Sequence, residues 1–274
     1  SRGAKAQFLI DGTNSNEATL AANYAARISQ RYAIEKLLAR LRIVGAGEIL
    51  DAAERSAEGE MLVDNRLRVW YNPSLLSRNF MVPGVIALIL LVMTSIMTAM
   101  SMVREKELGT MEQLIVTPLR PAALIIGKLV PFIGIGMIDV AIVLLAAVFW
   151  FGIPVRGSVA LLFALSLLFL FSTLGLGLLI STFCRTQQQA MITAFFTIMP
   201  MMLLSGFIFP IANMPVAIQH FTYLMPMRYF LIIIRGIILK GIGADMLAAQ
   251  IYPLAVFGIA MVLLCIVRFR KRIE

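Results

Sequence analysis

The sequence predicts an α-helical integral membrane protein that carries an α/β domain at its N-terminus. Three observations make that prediction. Of the 274 residues, 60% are hydrophobic and only 14% are charged, whereas roughly 25% are charged in an average soluble domain. A chain with so little polar surface cannot bury its apolar side chains in one water-soluble core, so a soluble enzyme is excluded. After residue 79 the apolar excess gathers into uncharged runs long enough to cross a bilayer, which takes about 20 residues. Before residue 80 the composition is ordinary, with 11 Lys+Arg and 9 Asp+Glu.

The first 79 residues read as an incomplete α/β domain. Gln7–Ile10 is a short strand ended by the turn pair Asp11-Gly12, and Asn14 or Ser15 caps the helix that follows. From Glu17 to Arg42 the apolar and alanine positions recur at helical spacing (Leu20, Tyr24, Ile28, Tyr32, Leu37, Leu41). Residues 43–60 are polar and read as a loop with a short helix. Arg66–Tyr71 alternates as a second strand, broken by Asn72-Pro73.

Five membrane spans follow. Phe80–Val103 is uncharged, Leu129–Val155 is apolar but for Asp139, and Gly157–Cys184 is uncharged. After the polar break Arg185–Gln189, a fourth span is expected over 190–209 and the last over Met246–Val267. Between these two, Pro210, Pro215 and Pro226 rule out one straight helix and predict a re-entrant hairpin over 206–240. Backbone broken at membrane depth must be buried in protein or line a cavity.

Basic residues in short loops set the orientation. Arg104, Lys106, Arg120, Lys128, Arg185, Arg268, Arg270, Lys271 and Arg272 fall on one side, and Arg156, Arg228, Arg235 and Lys240 on the other. Nine against four puts the C-terminus in the cytoplasm and residues 1–79 outside. The net charge of +9 is therefore a topology signal rather than a nucleic-acid footprint. An outer domain needs an anchoring helix upstream of Ser1, so six spans are expected in the intact protein. The cysteines, Cys184 and Cys265, are too far apart in sequence to suggest a metal knuckle, and the single histidine, His220, excludes a multi-histidine metal site.

Arg104–Thr117 carries the strongest local pattern. Leu108, Met111, Leu114 and Ile115 share one helical face, with Glu105, Lys106, Glu107 and Glu112 around it, and Pro118 stops the run. The pattern fits an interfacial anchor helix or a docking helix for a cytosolic partner. Its acidic bias favours docking, because lipid-binding helices favour Lys and Arg. Asp139 lies in the middle of the second span, where an ionisable group is costly. It is either a hydrogen-bonded structural acid or a substrate or proton contact. The 17 methionines are scattered through the spans, as packing residues rather than a soft-metal site. Ser205 with His220 makes a poor protease dyad because prolines intervene.

Glu105-Lys106-Glu107-Leu108-Gly109-Thr110-Met111-Glu112-Gln113-Leu114, then Thr117-Pro118 and Gly127-Lys128, resembles the first cytoplasmic loop of type-2 ABC transporter permeases. Further strings match that family in order. They are Phe151–Ser158, Gly175–Thr182, Gln187–Ala190, Leu204–Pro210, Met214-Pro215, Pro226 and Arg235-Gly236. The resemblance covers residues 80–274 and extends to the branch with a large periplasmic domain after its first helix. It implies a permease paired with a second copy or a paralogue, each seated on a separate cytosolic ATPase subunit that binds ATP and Mg. Residues 104–117 would be the coupling helix, with Glu105, Lys106, Glu107, Leu108, Gly109, Thr110, Met111, Glu112 and Leu114 docking the ATPase. The hairpin residues Ser205, Phe207, Phe209, Pro210, Met214 and Pro215, with Asp139, would line or gate the translocation path.

The chain has no GxxxxGK[ST], since Gly127-Lys128 runs on into Leu129, so no phosphate-cradling loop or cofactor of its own is expected. The cargo expected from apolar walls is a hydrophobic or amphiphilic small molecule, exported across a bacterial inner membrane. A periplasmic adaptor and membrane lipids are further expected partners, and nucleic acid is not. The competing reading is an ion-coupled secondary transporter or channel, for which one membrane aspartate is thin support. An intramembrane enzyme would need a paired-aspartate or HExxH motif that the chain lacks.

Overall fold

The computed structural model describes residues 4–43, 63–72, 74–110 and 121–270. The chain divides into two compact units, Ser1–Phe80 and Met81–Glu274.

In the first unit, β1 (Ala4–Asp11) and β2 (Val63–Trp70) form a two-stranded parallel sheet, with Phe8 opposite Leu67. Between them runs α1 (Ser15–Ile43). The Asp11 carboxylate accepts from the Thr13 backbone N–H at 2.9 Å and closes the turn after β1. The Asn14 carbonyl then accepts from the Ala18 N–H at 2.9 Å and starts the helix. A helix between two parallel strands is the expected crossover. The sheet is smaller than an α/β domain requires, so the N-terminal expectation is met only as this strand pair and its helix. The short helix expected within 43–60 lies outside the described residues.

Asn72 organises the exit from this unit. Its side-chain carbonyl accepts from Asn79 Nδ2 at 2.9 Å and from the Leu76 N–H at 3.2 Å, while its Nδ2 donates to the Leu76 carbonyl at 3.0 Å. A buried amide with three partners holds the turn that leads into the next helix.

The second unit is helical. Its long helices are α2 (Ser77–Glu107), α3 (Pro121–Phe149), α4 (Val159–Phe183), α5 (Gln187–Leu204) and α8 (Ala244–Arg270). Between α5 and α8 lie α6 (Val216–Phe221) and α7 (Pro226–Arg235), the latter continuing into a wider turn over Gly236–Lys240. Among the described residues, four helices are long and apolar enough to cross a membrane: α2, α3, α4 and α8. A fifth span is reached if the pair Val216–Leu224 and Pro226–Lys240, bent by 85°, crosses as one. The structure thus gives four to five spans. The fourth one expected, 190–209, corresponds to α5, which is shorter and begins on three glutamines. The proline-broken stretch bends as the sequence predicts.

The central helix is α4, buried along almost its whole length. Glycines on or facing it let neighbouring backbones close in. A Cβ on Gly177 would sit 2.5 Å from the Ser95 carbonyl of α2, one on Gly175 2.7 Å from Met261 of α8, and one on Gly136 of α3 2.6 Å from Leu170. Hydroxyls complete the α2–α4 seam. Thr94 donates to Thr173 Oγ1 at 2.8 Å, and Ser95 Oγ donates to the Thr173 carbonyl at 3.1 Å. Phe169 of α4 stacks on Phe230 of α7 at 4.2 Å between centroids.

Candidate functional site

The candidate site is built where α2 ends. Of the helix expected over 104–117, only residues 104–110 are described. Arg104–Glu107 form the last turn of α2, and Gly109, at φ +70°, closes it. Glycine adopts that left-handed conformation without steric cost, which is why the helix stops there. Leu108, Gly109 and Thr110 are exposed, and Thr110 Oγ1 donates back to the Glu105 carbonyl at 3.2 Å. Met111, Glu112 and Leu114 lie outside the described residues.

Three consecutive side chains of that turn reach three other helices. The Glu105 carboxylate pairs with the Lys128 ammonium in α3. The Lys106 ammonium donates to the Ser181 carbonyl in the last turn of α4. The Glu107 carboxylate accepts from the Gln187 backbone N–H at 2.8 Å and from Gln187 Nε2 at 2.6 Å, at the first residue of α5. The second and third contacts also suit the helix ends they meet. Free carbonyls at a C-terminus attract a cation, and free N–H groups at an N-terminus attract a carboxylate. Thr186 caps α5 as well, accepting from the Gln189 N–H at 3.2 Å. Glu105, Lys106 and Glu107 are therefore engaged within the chain.

In the sequence Lys128 marks topology, Gln187 belongs to a polar break, and these two and Ser181 fall in separate resemblance strings. Their shared role comes from distance in space, and the order of the strings along the chain was the only signal of it.

At the opposite end of the bundle, the hairpin residues do not form one lining. Ser205 is buried and donates to the Met202 carbonyl at 2.9 Å. Phe207 is buried against Gly84 of α2, where a Cβ would meet its ring at 2.4 Å. Phe209 is exposed. Pro210 and Pro215 precede the short helical turn Ile211–Asn213 and α6, and the Met214 carbonyl accepts from Gln219 Nε2 at 2.8 Å. His220 contacts the Val216 carbonyl at 2.8 Å, so no dyad with Ser205 forms among these contacts. Arg228 packs its guanidinium 3.9 Å from the centre of the Tyr223 ring and bonds Thr222. Asp139 is half-buried on α3. Among the described residues no group of three or more His, Cys, Asp or Glu side chains is placed to hold a metal ion.

A bundle with four or five candidate spans among the described residues defines a class: a multi-pass membrane protein. Residues 1–267 match the ABC-2 family transporter proteins. The chain is 36% identical over 270 residues to the probable multidrug ABC transporter permease YbhR of Escherichia coli, covering 98% of this chain and 69% of that protein. It is 34% identical to the probable multidrug ABC transporter permease YbhS of the same organism, covering 99% of this chain and 68% of that protein. More distantly, ABC transporter G family member 20 of Dictyostelium discoideum is 27% identical over 64% of this chain and 24% of that protein. The chain belongs to the ABC-2 transporter permease family.

Proposed function

We propose that this chain is the membrane-spanning subunit of an ATP-driven exporter whose energy comes from a separate cytosolic ATPase. The cargo is a hydrophobic or amphiphilic small molecule, in keeping with the multidrug names of two relatives and with the scarcity of fixed charge in the spans. The observation that carries the reading is the clamp of Glu105, Lys106 and Glu107. It sits where the chain leaves α2 for the loop that returns at α3. A displacement of that loop is delivered through Lys128, Ser181 and Gln187 to α3, α4 and α5 together. In this reading the ATPase seats on the loop beyond Glu107, and the clamp passes its movement to the spans rather than touching it.

Nine basic residues against four place the clamp and the C-terminus in the cytoplasm and residues 1–79 outside an inner membrane. The working unit is a pair of permeases on a pair of ATPases, with the hairpin gating exit and an adaptor receiving cargo outside. Co-purification with the ATPase tests the proposal, with ATP turnover measured against a panel of lipophilic compounds. Capture of the ATPase and stimulated turnover are expected. An ATPase that does not co-purify, or turnover indifferent to every compound, would overturn it.

A further inference from the structure

The clamp leaves one charged group of the spans unused. From Asp139, Lys128 is 11 residues away towards one end of α3 and Phe149 is 10 residues away at the other. At 1.5 Å per residue each separation is about 15 Å, which puts the carboxylate near the middle of a hydrocarbon layer about 30 Å thick. Asp139 makes no hydrogen bond or ion pair with any described residue. A carboxylate bare to lipid at that depth is costly, so the face that carries it needs a compensating occupant.

That face has a definite chemistry. Ile135 and Ile142 flank Asp139 at helical spacing, and both are exposed. The same stripe continues through Ala146 to Phe149, because steps of three and four residues stay on one side of a helix. There it meets an open concavity of about 550 Å³ lined by Leu145, Ala146, Phe149, Trp150 and Phe151. Phe149 and Trp150 are more than four-fifths exposed. A carboxyl group at mid-depth followed by unshielded aromatic faces suits a cation at both stations, by ion pairing at the first and by cation–π contact at the second. The apolar surface between them favours a large hydrocarbon body.

A second copy of the chain is a poorer match. The apolar runs that form the spans contain no Lys, Arg or His. The hairpin arginines are engaged in their own unit, Arg228 with Tyr223 and Thr222 and Arg235 with the Gly206 carbonyl at 3.4 Å. A copy packed on this face through its apolar runs would bury the carboxylate without a cationic partner.

We propose that the Asp139 face of α3 is a binding track for lipophilic cations, quaternary or charge-delocalised, leading from mid-membrane to the aromatic concavity. The proposal rests on the export reading and narrows its cargo. It is tested with the transporter assembled with its ATPase in proteoliposomes, comparing ATP-driven movement of tetraphenylphosphonium with that of the neutral triphenylphosphine oxide. Asp139→Asn should lower the cation-to-neutral transport ratio by about tenfold, and Asp139→Glu should keep it within about twofold of native. Trp150→Ala should raise the KM for the cation more than for the neutral compound. An unaltered ratio in Asp139→Asn would overturn the proposal. So would an equal fall for both cargoes, which would make the face a packing surface between copies. A native transporter that moves the neutral compound but not the cation would overturn this inference and leave the export reading standing. One that moves neither would overturn both.

Discussion

The two ends of the membrane unit are closed by different physics. At the end that carries residues 104–107, charged side chains bridge four helices. At the hairpin end, backbone meets backbone. The Arg156 N–H donates to the Ile238 carbonyl at 3.1 Å, and a Cβ on Gly157 would stand 2.5 Å from the Ile237 carbonyl. Gly241, at φ +69°, brings its backbone against that of Arg156. Long ionic side chains can exchange partners through water and re-form, whereas contacts that depend on a missing Cβ cannot shift without moving a main chain. One end is thus held by side chains and the other by main-chain approach, with the glycine seams of α4 between them.

The sharpest way to break that contrast is to obstruct a seam. Gly177→Leu forces a side chain into the Ser95 backbone and should cost about 3 kcal/mol or more. The expected result is loss of monodisperse protein on size-exclusion chromatography. Recovery of a native-like, thermostable sample would show that α2 and α4 are not locked there.

A smaller effect is expected at the clamp. Glu105→Lys sets two ammonium groups against each other and should lower stability by about 1 kcal/mol, whereas the swap Glu105→Lys with Lys128→Glu should recover most of it. A double-mutant cycle of thermal unfolding reads the coupling, which should shrink as salt is raised. A swap no better than the single change would deny the pair its role. Smallest of all, Thr94→Val keeps the shape of the α2–α4 seam and removes its hydroxyl pair, at a cost of about 0.6 kcal/mol. A loss of several kcal/mol would show the seam to depend on hydrogen bonding more than on glycine contact.

Much of the fold is legible in the residue order. The uncharged run Phe80–Val103 has one stable solution in a membrane, a helix, because every backbone group must then bond internally. Pro210, Pro215 and Pro226 forbid a straight continuation, and the 85° bend lies at Pro226. The end of α2 was misplaced for a specific reason. The apolar pattern of Leu108 and Met111 suggested that a new helix begins at the charges, whereas the helix already under way continues through them to Glu107 before Gly109 stops it. The partners of those charges were not legible at all. Hydropathy and period report on neighbours up to about four residues away, whereas Glu107 and Gln187 are 80 apart in sequence.

The sequence by itself determined the class of protein, the position of four of its expected spans and the break at Pro226. These follow from transfer free energy and local backbone sterics, which act on each segment separately. Only the tertiary structure decided which side chains meet. It joined Glu105, Lys106 and Glu107 to three neighbouring helices, buried Phe207 while leaving Phe209 exposed, and left Asp139 without a partner among the described residues. Those outcomes depend on how helices rotate and cross to fill space, and that is settled by the packing of all of them together.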